Sequence, residues 1–413
     1  MLSLNTIMWI ILIAMAAICG YNILSSILQS RARKTSVQIV TTVHDNPSTS
    51  RAFTWHSRNP NSRDAQLQIT KGNVGDFEHS SVTSYEANHS ALRLEGQDIA
   101  VHRVVTADLK PSTMYSYRVR DSSEGDWSEP HTFTTAAEEI SEVSFIYVTD
   151  SQADKVNEFR LWENTMKQAF ARFANPDFVV HAGDLVETAA KKSAWSHFFN
   201  ASMFWIGKTP IVPVVGNNDI KDIGAARYAS YFHLPENGAE ALKGTQTNYS
   251  FDYGCLHIAV LNTEKCIKQQ TKWLEADLAG THCEWKIMVM HRPIYGGTIT
   301  KKLVDWSRII DKYKVDLVLQ GHNHVYSRSH PVKNGRVTGD GSDTVRDHEG
   351  AIYVVVNASG PKFNKLKEDQ FYHKLHFQNK KQIYAGISIS GKTLTYQAYD
   401  VDGQLLDQFT IQH

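Results

Sequence analysis

The chain has 413 residues, 42% hydrophobic and 21% charged, which supplies a large core over two or three domains and excludes a disordered polymer. Lys plus Arg and Asp plus Glu each total 43, so no net field draws in nucleic acid or an anionic surface, and any anion selectivity has to be local. The four cysteines, at positions 19, 255, 266 and 283, exclude a disulfide framework and contain no Cys-x-x-Cys zinc pair.

Residues 1–34 differ from the rest. Ile7 to Leu28 is an apolar run broken only by Asn22, Ser25 and Ser26, long enough at about 20 residues to span a bilayer, so a transmembrane anchor or signal segment is expected. No Lys or Arg precedes the run, which disfavours a cleaved signal, and the bulky Ile18 before Cys19 disfavours a lipoprotein site. Arg31, Arg33 and Lys34 follow it, and by themselves they would keep the remainder in the cytoplasm.

Residues 35–137 read as an all-β sandwich. Short alternating strands such as Val37 to Thr41 and Gln66 to Ile69 are separated by polar turn clusters. The stretch Leu109 to Val119, with its Pro111 and the alternating Tyr115 and Tyr117, followed by Trp127-Ser128 and Phe133-Thr134-Thr135, resembles a fibronectin type III-like module. More narrowly, it resembles the amino-terminal module of purple acid phosphatases. Trp55 and Trp127 are expected in its core.

Residues 138–413 change character, with apolar β runs alternating with helical stretches, as in a layered α/β domain. The predicted elements are a strand at Val143 to Val148, a helix from Lys155 to Phe173, and strands at Asp177 to His181, Ile211 to Val215, Leu256 to Leu261, Trp285 to Met290 and Val315 to Leu319. Strands return at Ile352 to Val356 and in the final Leu394 to Thr410 stretch. Cys266 and Cys283 flank another predicted helix and either pair or remain free thiols.

Five of these strands end in polar clusters: Thr149-Asp150-Ser151-Gln152, Ala182-Gly183-Asp184, Gly216-Asn217-Asn218-Asp219, His291-Arg292-Pro293 and Gly321-His322-Asn323-His324. Loops beyond strand ends are where layered α/β proteins gather their sites. Among them the candidate ligands are the carboxylates Asp150 and Asp184, the amide of Asn217 and the imidazoles of His291, His322 and His324, a mixed oxygen and nitrogen set that suits manganese or iron, with zinc possible. Two cations roughly 3.5–4 Å apart need a shared anionic ligand, and Asp184 is the candidate bridge. Each fragment alone is first of all a helix cap, a turn or a packed histidine; five in order, each after an apolar strand, are not.

In that order the motifs resemble the calcineurin-like metallophosphoesterase superfamily, and Tyr326-Ser327-Arg328, Tyr353-Val354-Val355 and Asp400-Val401-Asp402-Gly403 resemble its purple acid phosphatase branch. The resemblance implies a four-layer αββα catalytic domain. It implies a first metal on Asp150, Asp184 and His324, and a second on Asp184, Asn217, His291 and His322. It also implies a hydroxide between them that attacks a phosphate ester, and a catalytic domain outside the cytoplasm. Three departures stand out. Glu187 occupies the place of the purple branch's tyrosine, which predicts a colourless enzyme. Gln152 stands where many relatives have histidine, as a weak ligand or a partner of a ligating water. Asn218 stands where the acid that protonates the leaving group is expected; it can bond a phosphate oxygen but cannot titrate, which leaves His233 or His181 as stand-ins and favours good leaving groups.

Arg292, Tyr295 and His330 lie near ligand motifs; a salt bridge or loop stacking is expected for each ahead of substrate binding. The expected activity is hydrolysis of small phosphate monoesters. The alternatives are a phosphodiesterase or nucleotide pyrophosphatase on the same scaffold, and a surface protein that keeps its metals but turns over weakly.

Overall fold

The computed structural model describes residues 38–57, 62–78 and 81–413. The apolar run from Ile7 to Leu28 lies outside the described residues; among those described, no helix is long and apolar enough to cross a membrane.

The amino-terminal module is a β-sandwich. One face is a four-stranded sheet of Thr83–Glu86, Gln66–Lys71, Met114–Arg120 and His131–Thr134. The other runs Val40–Thr42, Arg51–Ser57, Gln97–Thr106 and Asn88–Leu94. Alternate residues of both faces, including Phe53, Trp55, Leu67, Ile69, Val104, Tyr117, Val119 and Phe133, meet in a common core, as period-two burial requires. Tyr115 accepts the Lys110 backbone N–H on its hydroxyl at 2.8 Å, pinning a corner in the manner of related sandwiches. Trp127 corrects the sequence expectation. It is half-buried at the rim, where the guanidinium groups of Arg118 and Arg120 lie 4.5 and 4.6 Å from its ring, so cation–π contact rather than core packing fixes it.

The second, larger domain is built on two facing sheets. In the first, Glu142–Val148, Phe178–His181 and Ile211–Pro213 are parallel neighbours, extended on one side by the antiparallel strands Ile383–Ser390, Thr393–Asp400 and Leu405–Gln412. In the second, Leu256–Leu261, Trp285–Met290, Leu317–Gln320 and Ile352–Val355 run parallel. The pleat divides the second sheet's side chains. Ile258, Val260, Ile287, Val289, Leu317 and Leu319 pack with the first sheet, while Ala259, Leu261, Met288, Met290 and Val318 face Leu274, Leu278, Trp306 and Ile310 of the helices Ile267–Gly280 and Asp305–Tyr313. The helices Val156–Arg172 and Lys192–Ser202 cover the first sheet through Phe159, Trp162, Met166 and Phe198, which completes four layers, helix, sheet, sheet, helix.

Two joints locate the site. The Tyr147 hydroxyl, on the first sheet, donates to Gln320 O and lies 3.2 Å from Val354 O on the second, locking the strand ends together beneath the ligand loops. The other joint links the modules. Val40–Thr42 pairs in parallel with Ile211–Pro213, so one sheet of the sandwich and the first sheet of the larger domain form a single eleven-stranded sheet. Thr41 reinforces that seam by donating its backbone N–H and its hydroxyl to Ile206 O, at 3.2 and 2.8 Å.

Cys255, Cys266 and Cys283 are free thiols, so the Cys266–Cys283 bridge does not form.

Candidate metal centre

All six ligand candidates sit just past the carboxyl ends of parallel strands. Asp150, Asp184 and Asn217 follow adjacent strands of the first sheet, and His291, His322 and His324 follow adjacent strands of the second. Parallel neighbours end on the same edge, so five loops separated in sequence converge there. The turn off each strand is tight. Asp150, Asp184, His322 and His324 all adopt left-handed backbone (φ 51°, 53°, 72° and 50°), a conformation that costs on the order of 1 kcal/mol or more for a side-chain-bearing residue and that concentrates at functional sites. Two glycines make room. Gly216 packs so closely that a Cβ there would collide with the Asp184 carboxylate and backbone nitrogen, and Gly183, at φ 96°, lies where a Cβ would come 2.5 Å from His291 Nδ1.

The histidines are oriented from behind. His291 donates Nδ1–H to Ala182 O at 2.9 Å and His324 donates Nδ1–H to Lys362 O at 2.9 Å, so each turns Nε2 toward the carboxylates. His291 Nε2 then lies 3.3 Å from Asp184 Oδ2, and His324 Nε2 lies 3.1 Å from Asp150 Oδ1. Both distances suit ion pairing, but the angles do not make hydrogen bonds of them: Asp150 Oδ1 and His291 Nε2 are buried without a hydrogen-bond partner, as are Asn217 Oδ1 and Gln152 Oε1. Unsatisfied buried polar atoms are rare and costly, and here four of them share one ligand-loop cluster. Asp184, His291 and His322 each offer a donor atom within 4.8 Å of the others.

Charge points the same way. Burial opposes ionisation of Asp150, yet His324 and His291 hold its carboxyl below the usual range. Burial opposes a charged His291, yet Asp184 and Asp150 raise it to about 10. The two carboxylates thus draw positive charge into a fully buried position, which is the demand that cations meet. His322 is the neutral member: burial, then His291 and Arg292, lower it to about 4, and its Nε2 accepts from Arg292 Nη1 at 2.7 Å.

Asn218 is committed to Asp184, donating its backbone N–H to Oδ1 at 2.8 Å and its side-chain amide to Oδ2 at 3.1 Å. Lys221 in turn donates to Asn218 Oδ1. Glu187, in the tyrosine position, is paired with Lys362 at 2.5 Å and accepts from Gln152 Nε2 at 3.3 Å. Arg292 is anchored to Glu264 at 2.7 Å, the salt-bridge outcome, and Tyr295 packs against Tyr353 and Tyr372. His330 contributes its backbone N–H to Tyr372 O.

Neither proposed stand-in acid is free for that task. His181 is fully buried, with Nε2 bonded to Ser151 Oγ at 2.9 Å, and burial lowers it to about 3. His233 packs against His44, with ring centroids 4.7 Å apart, and burial lowers it too, to about 3.

Sequence reasoning missed three contributors. Asp219 accepts from Gly216 N at 2.8 Å and Leu185 N at 2.9 Å, stapling the Asp184 and Asn217 loops; burial and then Asp184 raise its carboxyl to about 7. Thr149 donates its hydroxyl to Asp150 Oδ2 at 2.8 Å. His376 lines the same cleft of about 480 Å³ as His322, together with Asn364, Lys365 and Lys367. It donates Nδ1–H to Asp369 at 2.9 Å, and its Nε2 is buried without a partner. Its signal was the spacing of Asp369, His373 and His376 around one strand start.

Residues 143–326 match the calcineurin-like phosphoesterase family, and residues 36–135 match the purple acid phosphatase N-terminal domain. An uncharacterised protein of Mycobacterium tuberculosis is 24% identical over 366 residues, covering 76% of this chain and 68% of that protein. Probable inactive purple acid phosphatase 24 of Arabidopsis thaliana is 25% identical over 356 residues, covering 70% of this chain and 57% of its own length. A purple acid phosphatase from yellow lupin (Lupinus luteus) seeds shares the fold, with a TM-score of 0.78 at 18% identity over 91% of this chain and 74% of that one. The chain thus carries a calcineurin-like phosphoesterase domain behind a purple acid phosphatase N-terminal domain, on a fold shared with a purple acid phosphatase.

Proposed function

We propose that the chain hydrolyses phosphate monoesters at a dinuclear metal centre. The observation that carries this is the convergence of six donor side chains from five loops, with Asp150 Oδ1, Asn217 Oδ1 and His291 Nε2 buried and lacking hydrogen-bond partners. Asp150, Asp184 and His324 would hold one cation, and Asp184, Asn217, His291 and His322 the other. Gln152 Oε1 is a further oxygen on the first side. The donor set contains no thiolate and fits iron, manganese or zinc. Bound there, two cations supply a hydroxide at neutral pH and neutralise phosphate charge.

The chain's own residues do the rest. Lys365 and Lys367 line the cleft and favour an anion at its mouth. Asn218 holds Asp184 in one orientation by gripping both carboxylate oxygens. Water adds to phosphorus, the ester P–O bond breaks, and the departing oxygen needs a proton. We assign that proton to His376, which lines the cleft wall with its Nδ1–H held by Asp369 and whose buried Nε2 has to turn outward to reach the departing oxygen.

A second reading, a metal-binding protein of weak turnover, is favoured by Asn218 in the usual acid position and by the name of the Arabidopsis relative. One experiment separates them. Metal content and hydrolysis of aryl and alkyl monoesters, with a diester as control, are measured for the whole chain beside Asp184→Asn. Two metals and monoester turnover, both lost in the variant, support the phosphatase; two metals with no turnover of any ester support the second reading.

A further inference from the structure

We propose that Asp316, His348 and His413 form a third metal site, of the zinc class, which clamps the two sheets together at the end opposite the catalytic cleft. The proposal does not depend on the catalytic reading. Asp316 lies just before the strand Leu317–Gln320, whereas His322 lies just beyond its other end, so the two sites are separated by roughly 15–20 Å of extended chain. The two histidines come from the first sheet. His348 follows the strand Thr344–Arg346 and His413 follows Leu405–Gln412, and these strands pair in parallel, which delivers both imidazoles to one edge.

The donor spacing is that of a coordination shell. His413 Nε2 is 2.9 Å and His348 Nδ1 is 3.2 Å from the same oxygen, Asp316 Oδ1. Ligands at about 2.0–2.1 Å from a tetrahedral zinc are about 3.3 Å from one another, so a small cation fits after shifts of a few tenths of an ångström. The other carboxylate oxygen, Oδ2, is engaged by Lys286 N at 2.9 Å, which leaves Oδ1 as the donor. The Asp316 side chain is 1% exposed and that of His413 is 6% exposed, while His348 at 25% leaves one side open for water as a fourth ligand.

Hydrogen bonding alone leaves this cluster unfinished. His348 Nδ1 and His413 Nδ1 are both buried without a hydrogen-bond partner. A neutral His413 that donates Nε2–H to Asp316 turns the Nδ1 lone pair toward Glu284, whose Oε1 is 3.9 Å away. A cation on Nε2 reverses the tautomer, so that Nδ1–H faces Glu284 as a second-layer acceptor, the arrangement that metal-bound histidines usually show. The His413 ring is already fixed by stacking on Trp285, with centroids 4.0 Å apart and planes 14° apart. Two imidazoles and one carboxylate favour zinc over calcium or magnesium, which prefer all-oxygen shells.

The test is zinc content and cobalt spectroscopy on the whole chain. Wild type, Asp184→Asn, His348→Ala and His413→Gln are saturated with zinc, freed of unbound metal by gel filtration and counted by mass spectrometry. His348→Ala and His413→Gln are expected to hold one zinc fewer than wild type. Asp184→Asn keeps the zinc that those variants lose. In the cobalt-loaded protein, a tetrahedral visible band should survive Asp184→Asn and vanish in His348→Ala, and His413→Gln reads the same point should His348→Ala misfold. Equal zinc content and equal cobalt spectra in wild type and in whichever of the two histidine variants folds would overturn the proposal.

Discussion

Asn218 grips both oxygens of Asp184, one through its backbone N–H at 2.8 Å and one through its side-chain amide at 3.1 Å. The residue in the usual acid position has therefore become a positioning group for the carboxylate proposed to bridge the metals. Asn218→Ala is expected to lower metal affinity and aryl phosphate turnover together by about 10–100-fold, the usual loss when a ligand's supporting partner is removed. Metal titration beside steady-state kinetics checks it, and a variant with lower turnover but unchanged metal affinity would contradict it.

His376 should matter in proportion to the difficulty of the leaving group. With its Nε2 buried and unpartnered in the cleft wall and its Nδ1 held by Asp369, His376→Gln is expected to slow alkyl phosphate hydrolysis about 100-fold while sparing nitrophenyl phosphate, whose phenolate leaves without a proton. Equal losses on both substrates would remove His376 from the role.

Glu187 sits in an ion pair with Lys362 at 2.5 Å, where a tyrosinate would be needed for colour. The iron-loaded protein is expected to lack a strong visible charge-transfer band. An absorption spectrum decides the matter, and Glu187→Tyr is the variant expected to gain the band.

Stability should depend on pH through His257. Burial works against a charged ring, but Asp252 Oδ1 at 2.6 Å and Asp277 Oδ2 at 2.9 Å outweigh it and hold the pKa at about 9, above the ordinary 6.5. The stabilisation is therefore fully present below pH 6.5 and is lost as pH rises through 9; the shift corresponds to about 3 kcal/mol. Denaturant unfolding at pH 6 and pH 9.5 should show wild type losing more stability than His257→Gln across that interval. Parallel losses would refute the assignment.

Gly216→Ala is expected to abolish metal binding and to destabilise the fold as well. The added methyl would enter the space of both the Asp184 carboxylate and its backbone nitrogen, so the two ligand loops must part to admit it. Metal content with circular dichroism separates the two effects.

The ligand loops were legible because each motif is local: an apolar strand, a turn residue, then a donor. The sequence also contained the two-sheet alternation, since Ile287, Val289 and Leu317 on one face and Met288, Met290 and Val318 on the other follow from period two. What it hid was set by partners distant in sequence. His376 reaches the cleft because its strand pairs with Tyr326–Ser329, with Ser327 opposite His376. Trp127 reads as a core residue until Arg118 and Arg120 are seen to cover it. The cysteines flanking the helix Ile267–Gly280 said nothing of their separation across it.

The seam where Thr42 meets Ile211 has a practical meaning for anyone trimming this protein. A fragment cut between the modules would bare a raw ribbon of backbone donors and acceptors on each half, an invitation to stick to its own kind. The sandwich is thus a built-in cover for the flank of the phosphoesterase-like half, and the two are best handled as one piece.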